Sequence, residues 1–436
     1  MKIALVLLNE TVARINKGWV TTFGRMAYAP TTLTQLAALV PEHLNAQIEL
    51  FDEGVSIFDP EKIDADLVGL SVLTPNAARA YTMAACLKKR GITVVLGGVH
   101  PTLLPDEAAL HADAVVIGFA EKSWPALLED FANKKLRKIY SDDYKEEFRN
   151  SLPVPRYDLL KKRKYFLPYT LEATRGCMNK CTFCVISGCS NYSSFVSRDI
   201  EAVTSQIQSS GAKNITFLDS SPTENPEYIK SLYRRLIPLK IKWNSSITLK
   251  VAEDKDWLEL ASKSGCNGVL IGFESLNQES LSGGNKNFNQ VNRYKDAIRK
   301  LHDHNITVLA CFVFGFDSDT PDIFQRTVDF VNEAKIDLLN YTILTPYPQT
   351  AIYNQLLAEG RIIDTEWKNY NGAKVVFQPA RMSVSELQKG YEKASLQSYS
   401  AKSIVKRLLP LRNSFAANFA SNTYFSIYNH LRFKSL

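Results

Sequence analysis

The chain has 436 residues, 45% of them hydrophobic and 22% charged. That ordinary globular composition excludes a disordered polymer, a collagen and a small disulfide scaffold. The formal net charge is +7. Six of those charges are Lys402, Lys406, Arg407, Arg412, Arg432 and Lys434 in an acid-free tail, 401–436. Residues 1–400 are therefore nearly neutral, and bulk charge gives no reason to expect nucleic acid as a partner.

The opening Met1–Glu10 has only six consecutive apolar residues and no small-residue cleavage site, so it reads as a buried strand rather than a signal peptide. No stretch approaches the roughly 20 apolar residues that span a bilayer. There are seven cysteines, three of them crowded together. That pattern suggests a reducing, cytoplasmic setting and a metal or catalytic site rather than disulfides.

Over residues 1–140 the pattern predicts strands at Ile3–Leu8, Ile48–Asp52, Leu67–Leu73, Thr93–Leu96 and Ala114–Ile117. Helical stretches such as Ala77–Lys89 lie between them. This describes an α/β domain with a doubly wound, Rossmann-like parallel sheet, whose ligands bind beyond the carboxyl ends of the strands. Those ends read Asp52-Glu53-Gly54, Ser71-Val72-Leu73-Thr74, Gly97-Gly98-Val99-His100 and Gly118-Phe119-Ala120-Glu121. Glycine and small hydroxyl residues recur where a backbone must approach a ligand. Any one of these turns alone could be an ordinary tight βα connection.

Residues 141–168 read as a linker, with Pro153, Pro155, Pro168 and a solvated charge run, Lys161–Lys164. A second alternation fills 169–354, with strands expected at Tyr169–Thr174, Asn214–Leu218, Ile241–Ser245, Gly268–Gly272, Thr307–Phe314 and Leu338–Leu344. Helical periodicity appears between them, as in Ile200, Val203 and Ile207. Six βα units make a partial (β/α)6 barrel with its working face at the strand ends. Residues 355–436 form a helical C-terminal region. Its basic, aromatic tail either docks on the barrel as a helical pair or lies at an anionic membrane surface.

The segment that carries chemistry directly follows the first barrel strand and contains Cys177, Cys181 and Cys184. Three thiolates on a four-iron cluster leave one iron open to a small molecule. A zinc site with Cys189 as fourth ligand is the alternative, although the paired C-x2-C knuckles are missing. Cys86, Cys266 and Cys311 fall on apolar patterns and read as small hydrophobes.

The C-x3-C-x2-C spacing, with the aromatic Phe183 before the last cysteine, closely resembles the radical S-adenosylmethionine (radical SAM) superfamily. The resemblance implies that Cys177, Cys181 and Cys184 hold a [4Fe–4S] cluster whose open iron binds S-adenosylmethionine, which reductive cleavage turns into a 5′-deoxyadenosyl radical. It also implies cofactor contacts at later strand ends, at Asp219, Glu274, Ser275 and Gly315. The glycines that accompany the acidic segment in relatives are absent beside Asp219.

The parallel domain before the barrel resembles the cobalamin-binding domain of the B12-dependent radical SAM group. Ser71, Thr74, Gly97, Gly98, His100, Gly118 and Glu121 stand at the matching positions. The Asp-x-His-x-x-Gly motif that supplies a cobalt ligand in many cobalamin proteins is missing, and His100 either substitutes for it or caps a loop at the cofactor's periphery. The resemblance implies methylation of an unactivated carbon in an apolar, lipid-like or natural-product substrate, with a flavodoxin or ferredoxin as transient electron donor. The competing reading keeps the radical chemistry for rearrangement, cyclisation or hydrogen abstraction and makes the first domain a cobalamin-free module.

Overall fold

The computed structural model describes residues 1–9, 28–56, 58–150, 152–409, 411–412 and 414–434. The Lys434 side chain lies outside the described residues. The chain divides into two compact units. One comprises Met1–Arg175, Cys189–Thr216 and Glu366–Lys368, the other Gly176–Gly188, Phe217–Thr365 and Asn369–Leu436.

The first unit is built on β1 (Lys2–Leu7), β2 (Gln47–Asp52), β3 (Leu67–Ser71), β4 (Thr93–Gly97), β5 (Ala114–Ile117) and β6 (Ile139–Ser141). They form one sheet in the order β2-β1-β3-β4-β5-β6, parallel at every pairing. The strands bury both faces, which is why they read as nearly continuous apolar runs. Ala4, Val6, Val68, Leu70 and Leu96 pack toward Ala80, Ala84 and Leu87 of the helix Ala77–Lys89. Ile3, Leu5, Leu67 and Val95 pack toward Leu33, Trp124 and Leu127. The order of strands turns back at β1, so the crevice beyond the ends of β1 and β3 is the natural ligand position.

Strand β6 is absent from the sequence reading, because three residues with only Tyr140 buried leave no period to detect. The segment read as a linker is packed, not free. Tyr157, Leu160 and Tyr165 join Ala29 and Val55 in a small core, and Tyr165 Oη donates to Asp52 Oδ2 at 3.0 Å.

The second sheet has the order β14-β13-β12-β11-β10-β7. Its strands are β7 (Thr170–Leu171), β10 (Asn214–Phe217), β11 (Lys242–Ile247), β12 (Cys266–Glu274), β13 (Thr307–Phe314) and β14 (Leu338–Ile343). Strands β11 to β14 pair in parallel. The expected strand Tyr169–Thr174 is broken. After β7 the chain leaves the sheet as β8 (Thr174–Arg175), which pairs antiparallel with β9 (Val196–Ser197). Side-chain caps start several of the helices, from Asp199 on Ala202 N–H to a full capping box at Ser383 and Glu386, satisfying donors that a helix end leaves open.

The tail takes the helical-pair form, the first of its two expected forms. It is two helices, Ala401–Leu408 and Phe415–Lys434, and part of its charge is internal. Arg407 is fully buried. Its guanidinium donates to Ile336 O (2.7 Å), Asp337 O (3.0 Å), Ser398 O (3.0 Å) and Asn422 Oδ1 (2.7 Å). Arg412 reaches Asp337 at 2.9 Å. No helix among the described residues is long and apolar enough to cross a membrane.

Candidate functional site

The cysteine loop opens at Gly176, whose φ of 79° is left-handed. Its last turn is closed by Cys184 N–H on Cys181 O at 3.2 Å. Ser187 Oγ donates to the same carbonyl at 2.5 Å and to Cys184 O at 2.9 Å. From outside, Thr182 N–H bonds Gly284 O (3.1 Å) and Asn285 Nδ2 bonds Lys180 O (2.8 Å), so the segment 284–286 is clamped along the loop.

Burial pushes the Cys181 thiol up to about 11 and raises Cys184 as well. Buried thiols that resist ionisation become thiolates only when a cationic centre takes them. With Cys177 of the same loop they make up the three thiols that suit an iron–sulfur cluster with one iron left open. Among the described residues no three His, Cys, Asp or Glu side chains stand together in the arrangement of a single-ion site. Cys189 is buried, its sulfur held by the N–H groups of Asn191 and Tyr192.

Two opposite charges flank the thiols, and neither was found in the sequence. Glu224 Oε1 lies 3.6 Å from Cys177 Sγ and accepts from Asn179 Nδ2 (2.5 Å) and Ser221 Oγ (2.8 Å). On the other side Lys286 Nζ pairs with Glu274 Oε1 at 2.6 Å. Burial works against the Lys286 ammonium. Glu274, and then the fields of Cys181 and Cys184, outweigh burial and raise its pKa. The pairing register of β12 slips between Gly272 and Glu274, and Glu274 holds φ 65°, backbone that a non-glycine residue adopts only when its surroundings enforce it. A Cβ on Gly272 would stand 2.9 Å from Lys286 Nζ, so the bulge keeps room for that ammonium.

The other barrel residues named from sequence fall at strand ends. Phe183 meets Phe316 edge to face at 5.6 Å, with Gly284 beneath both rings. Gly315 adopts φ 108°, and its N–H and that of Phe316 bond Asp319 Oδ2 at 3.0 and 3.1 Å. Ser275 is buried and accepts from Asn277 N–H at 3.0 Å. Asp219 is buried beyond β10, where its charge acts on Tyr233.

In the first unit, Gly97 closes β4 by accepting from Val72 N–H at 2.9 Å. Gly98 has φ 98°, and a Cβ there would meet Val72 N at 2.9 Å and Ser71 Oγ at 3.2 Å. Gly118, at φ 77°, donates to Thr102 Oγ1 at 2.9 Å. Glu121 Oε1 takes Arg175 at 2.5 Å.

His100 is fully buried. Its Nε2 lies 3.0 Å from Tyr81 Oη and 3.3 Å from Glu107 Oε1, and its Nδ1 lies 3.4 Å from Thr74 Oγ1. Trp367 Nε1 donates to the same Glu107 at 3.1 Å. Both imidazole nitrogens thus face groups of the fold. Among the buried polar atoms without a partner are two acceptors at this sheet's carboxyl edge, Asn76 Oδ1 after β3 and Glu121 Oε2 after β5. Buried polar atoms are rarely left so. Acceptors beside close-approach glycines at a sheet's carboxyl edge fit a corrinoid, whose rim of amide groups supplies N–H donors.

The Radical SAM superfamily model matches residues 171–331, and the B12 binding domain model matches residues 56–128. A domain of unknown function, DUF4070, matches residues 350–432. The chain is 29% identical over 407 residues to bacteriochlorophyllide d C-12(1)-methyltransferase of Chlorobaculum tepidum, covering 91% of this chain and 88% of that one. It is 30% identical over 388 residues to the C-8(2)-methyltransferase of the same organism, covering 85% of each. The radical SAM methyltransferase TsrM from Kitasatospora setae, solved with cobalamin and a [4Fe–4S] cluster, shares the fold at a TM-score of 0.67 and 14% identity, over 91% of this chain and 88% of that one. The cysteine triad and the glycine-rich strand ends fall inside the matched regions, and the chain belongs to the cobalamin-dependent radical SAM methyltransferase family, enzymes whose cofactors are a [4Fe–4S] cluster, S-adenosylmethionine and cobalamin.

Proposed function

We propose that this enzyme methylates an unactivated carbon of an apolar small molecule. The observation that carries the substrate class is the pair of relatives named for methyl transfer to bacteriochlorophyllide d, each matched over 85% or more of both chains. A third relative, 21% identical, is named hopanoid C-2 methylase. When bound, the cluster with S-adenosylmethionine supplies a carbon-centred radical and cobalamin supplies a methyl group, chemistry that acid–base side chains cannot offer at an sp³ carbon.

The chain's own residues bind and orient. Cys177, Cys181 and Cys184 hold the cluster. Glu224 receives the α-ammonium of S-adenosylmethionine, and Lys286, kept in place by Glu274, receives its α-carboxylate. Asp219 and Ser275 add polar contacts, while Phe183 and the Gly315 turn enclose the adenosyl group. Ser71, Thr74, Gly97, Gly98 and Gly118 line the corrinoid's approach, with Glu121 accepting one of its amides and His100 supporting the wall behind. A reduced flavodoxin or ferredoxin supplies the electron.

A second reading has one observation in its favour. An anaerobic magnesium-protoporphyrin IX monomethyl ester cyclase from Cereibacter sphaeroides is 28% identical over 369 residues, although this chain covers only 59% of it. Anaerobic turnover with trideuteromethyl-labelled S-adenosylmethionine and bacteriochlorophyllide d or a hopanoid distinguishes the two. Label in the product, with S-adenosylhomocysteine and 5′-deoxyadenosine both formed, supports methylation. An altered product without label, with 5′-deoxyadenosine alone, transfers the assignment to the cyclase reading.

A further inference from the structure

We infer that the C-terminal helical pair, Ala401–Leu408 and Phe415–Lys434, seats the enzyme on an anionic lipid surface. The longer helix turns asparagines inward beside Phe425, which meets Tyr399 at 5.6 Å. Asn418, Asn422 and Asn429 face inward and are buried. Asn422 Nδ2 donates to Asp337 O at 2.9 Å, Asn422 Oδ1 accepts from Arg407, and Asn418 Nδ2 donates to Thr307 Oγ1 at 3.3 Å.

On the far side, Phe419, Thr423, Ile427 and Leu431 recur every four residues and share one face. Phe419, Ile427 and Leu431 are 46%, 47% and 42% exposed. From Phe415 to Leu431 there is no Asp, Glu, Lys or Arg. A surface helix of a globular protein does the opposite, burying its apolar stripe and exposing its charges.

The shorter helix repeats the theme with cations added. It buries Ile404, Arg407 and Leu408 and turns Lys402, Val405 and Lys406 outward, followed by exposed Leu409 and Leu411. Single exposed apolar residues mean little, whereas a clustered set is an interaction surface.

Charge selects the occupant. No Asp or Glu occurs anywhere in 401–436. A second copy presenting the same segment would add its own exposed Lys402 and Lys406 and no acid from 401–436 to pair them. An anionic bilayer supplies both complements, negative headgroups for the lysines and an acyl boundary for the Phe419 stripe. The inference rests on the tail alone and stands or falls independently of the substrate.

The test is co-sedimentation of the full-length protein with vesicles of phosphatidylcholine, with and without phosphatidylglycerol. The expected result is partitioning that requires phosphatidylglycerol and is reversed by salt. The double variant Lys402→Gln, Lys406→Gln should weaken it about 25-fold, at about 1 kcal/mol per lysine. The triple variant Phe419→Ser, Ile427→Ser, Leu431→Ser should abolish it. Both variants should keep the melting midpoint and 5′-deoxyadenosine formation, because the changed side chains are exposed. Three outcomes would overturn the inference: no binding to phosphatidylglycerol vesicles, equal binding to pure phosphatidylcholine, or a dimer in sedimentation equilibrium that the triple variant dissociates.

Discussion

Lys286 and Glu274 form a buried ion pair at 2.6 Å, and the carboxylate partner sits on left-handed backbone at φ 65°. The strain has a purpose in the site. The slipped register of β12 turns Glu274 back over Gly272, so the ammonium stands beside Cys181 and Cys184 with its charge intact. The Glu224 carboxylate lies against Cys177. In the proposed function these two side chains receive the two charges of an amino-acid headgroup.

That arrangement predicts separable binding defects. Lys286→Met and Glu224→Gln should each weaken S-adenosylmethionine binding roughly 10- to 100-fold, since a hydrogen bond to a charged group contributes about 1.5–3 kcal/mol. Iron content should stay unchanged. Lys286→Arg should recover part of the affinity. Equilibrium dialysis on the reconstituted protein, with its cluster left oxidised so that S-adenosylmethionine is not cleaved, reads all three variants. Unaltered affinity in Glu224→Gln would remove Glu224 from the account.

Asp319 gives a prediction in pH. Burial pushes its carboxyl up to about 6, against the opposing effect of bonds from Ser280 Oγ and the N–H groups of Gly315 and Phe316. A folded pKa above the ordinary value of 3.8 means that folding favours the protonated form. The resulting stabilisation is complete below about pH 4 and is lost as pH rises through 6, a swing of about 2–3 kcal/mol. Asp319→Asn does not titrate. The melting midpoint of the metal-free variant should therefore gain on wild type between pH 4 and 7, and parallel curves would contradict this.

His100 faces Tyr81, Glu107 and Thr74 rather than an open edge. Cobalt(II) in the reduced holoenzyme should therefore show no nitrogen splitting from this residue in its paramagnetic resonance spectrum. His100→Gln should leave that spectrum unchanged while lowering the melting midpoint. Nitrogen splitting that disappears in the variant would make His100 the axial ligand.

Arg407→Met should cost about 3–5 kcal/mol, because Ile336 O, Asp337 O and Ser398 O lose a donor inside the protein. Arg407→Lys should recover little, since one ammonium cannot span the fork that the guanidinium fills. Lys402→Gln, on the exposed face five residues before Arg407, should be nearly neutral. Urea unfolding compares the three.

What was legible in the sequence follows from how local each constraint is. The cysteine triad could be read because a cluster demands three thiols within a few residues. The central strands of the first sheet could be read because burial on two faces makes them apolar throughout, whereas β6, with only Tyr140 buried, could not. Glu224 and Lys286 could not, because the turns that carry them reach the thiols only through the tertiary fold. His100 stood out by type, but its setting depends on Tyr81, Glu107 and Trp367, the last arriving 260 residues after Glu107. The tail's charge was visible as a count. That Arg407 points inward while Lys402 and Lys406 point outward appears only once the helix faces are known.

The central claim is that one chain carries both an open cluster and a corrinoid for methyl transfer. The most direct test is the iron, sulfide and cobalamin content of protein purified without oxygen from cobalamin-fed cells, beside a Cys177→Ala variant. The account predicts about four iron and about one cobalamin per chain, with the variant losing iron while retaining cobalamin. A full complement of iron with no cobalamin, even after supplementation, would contradict it.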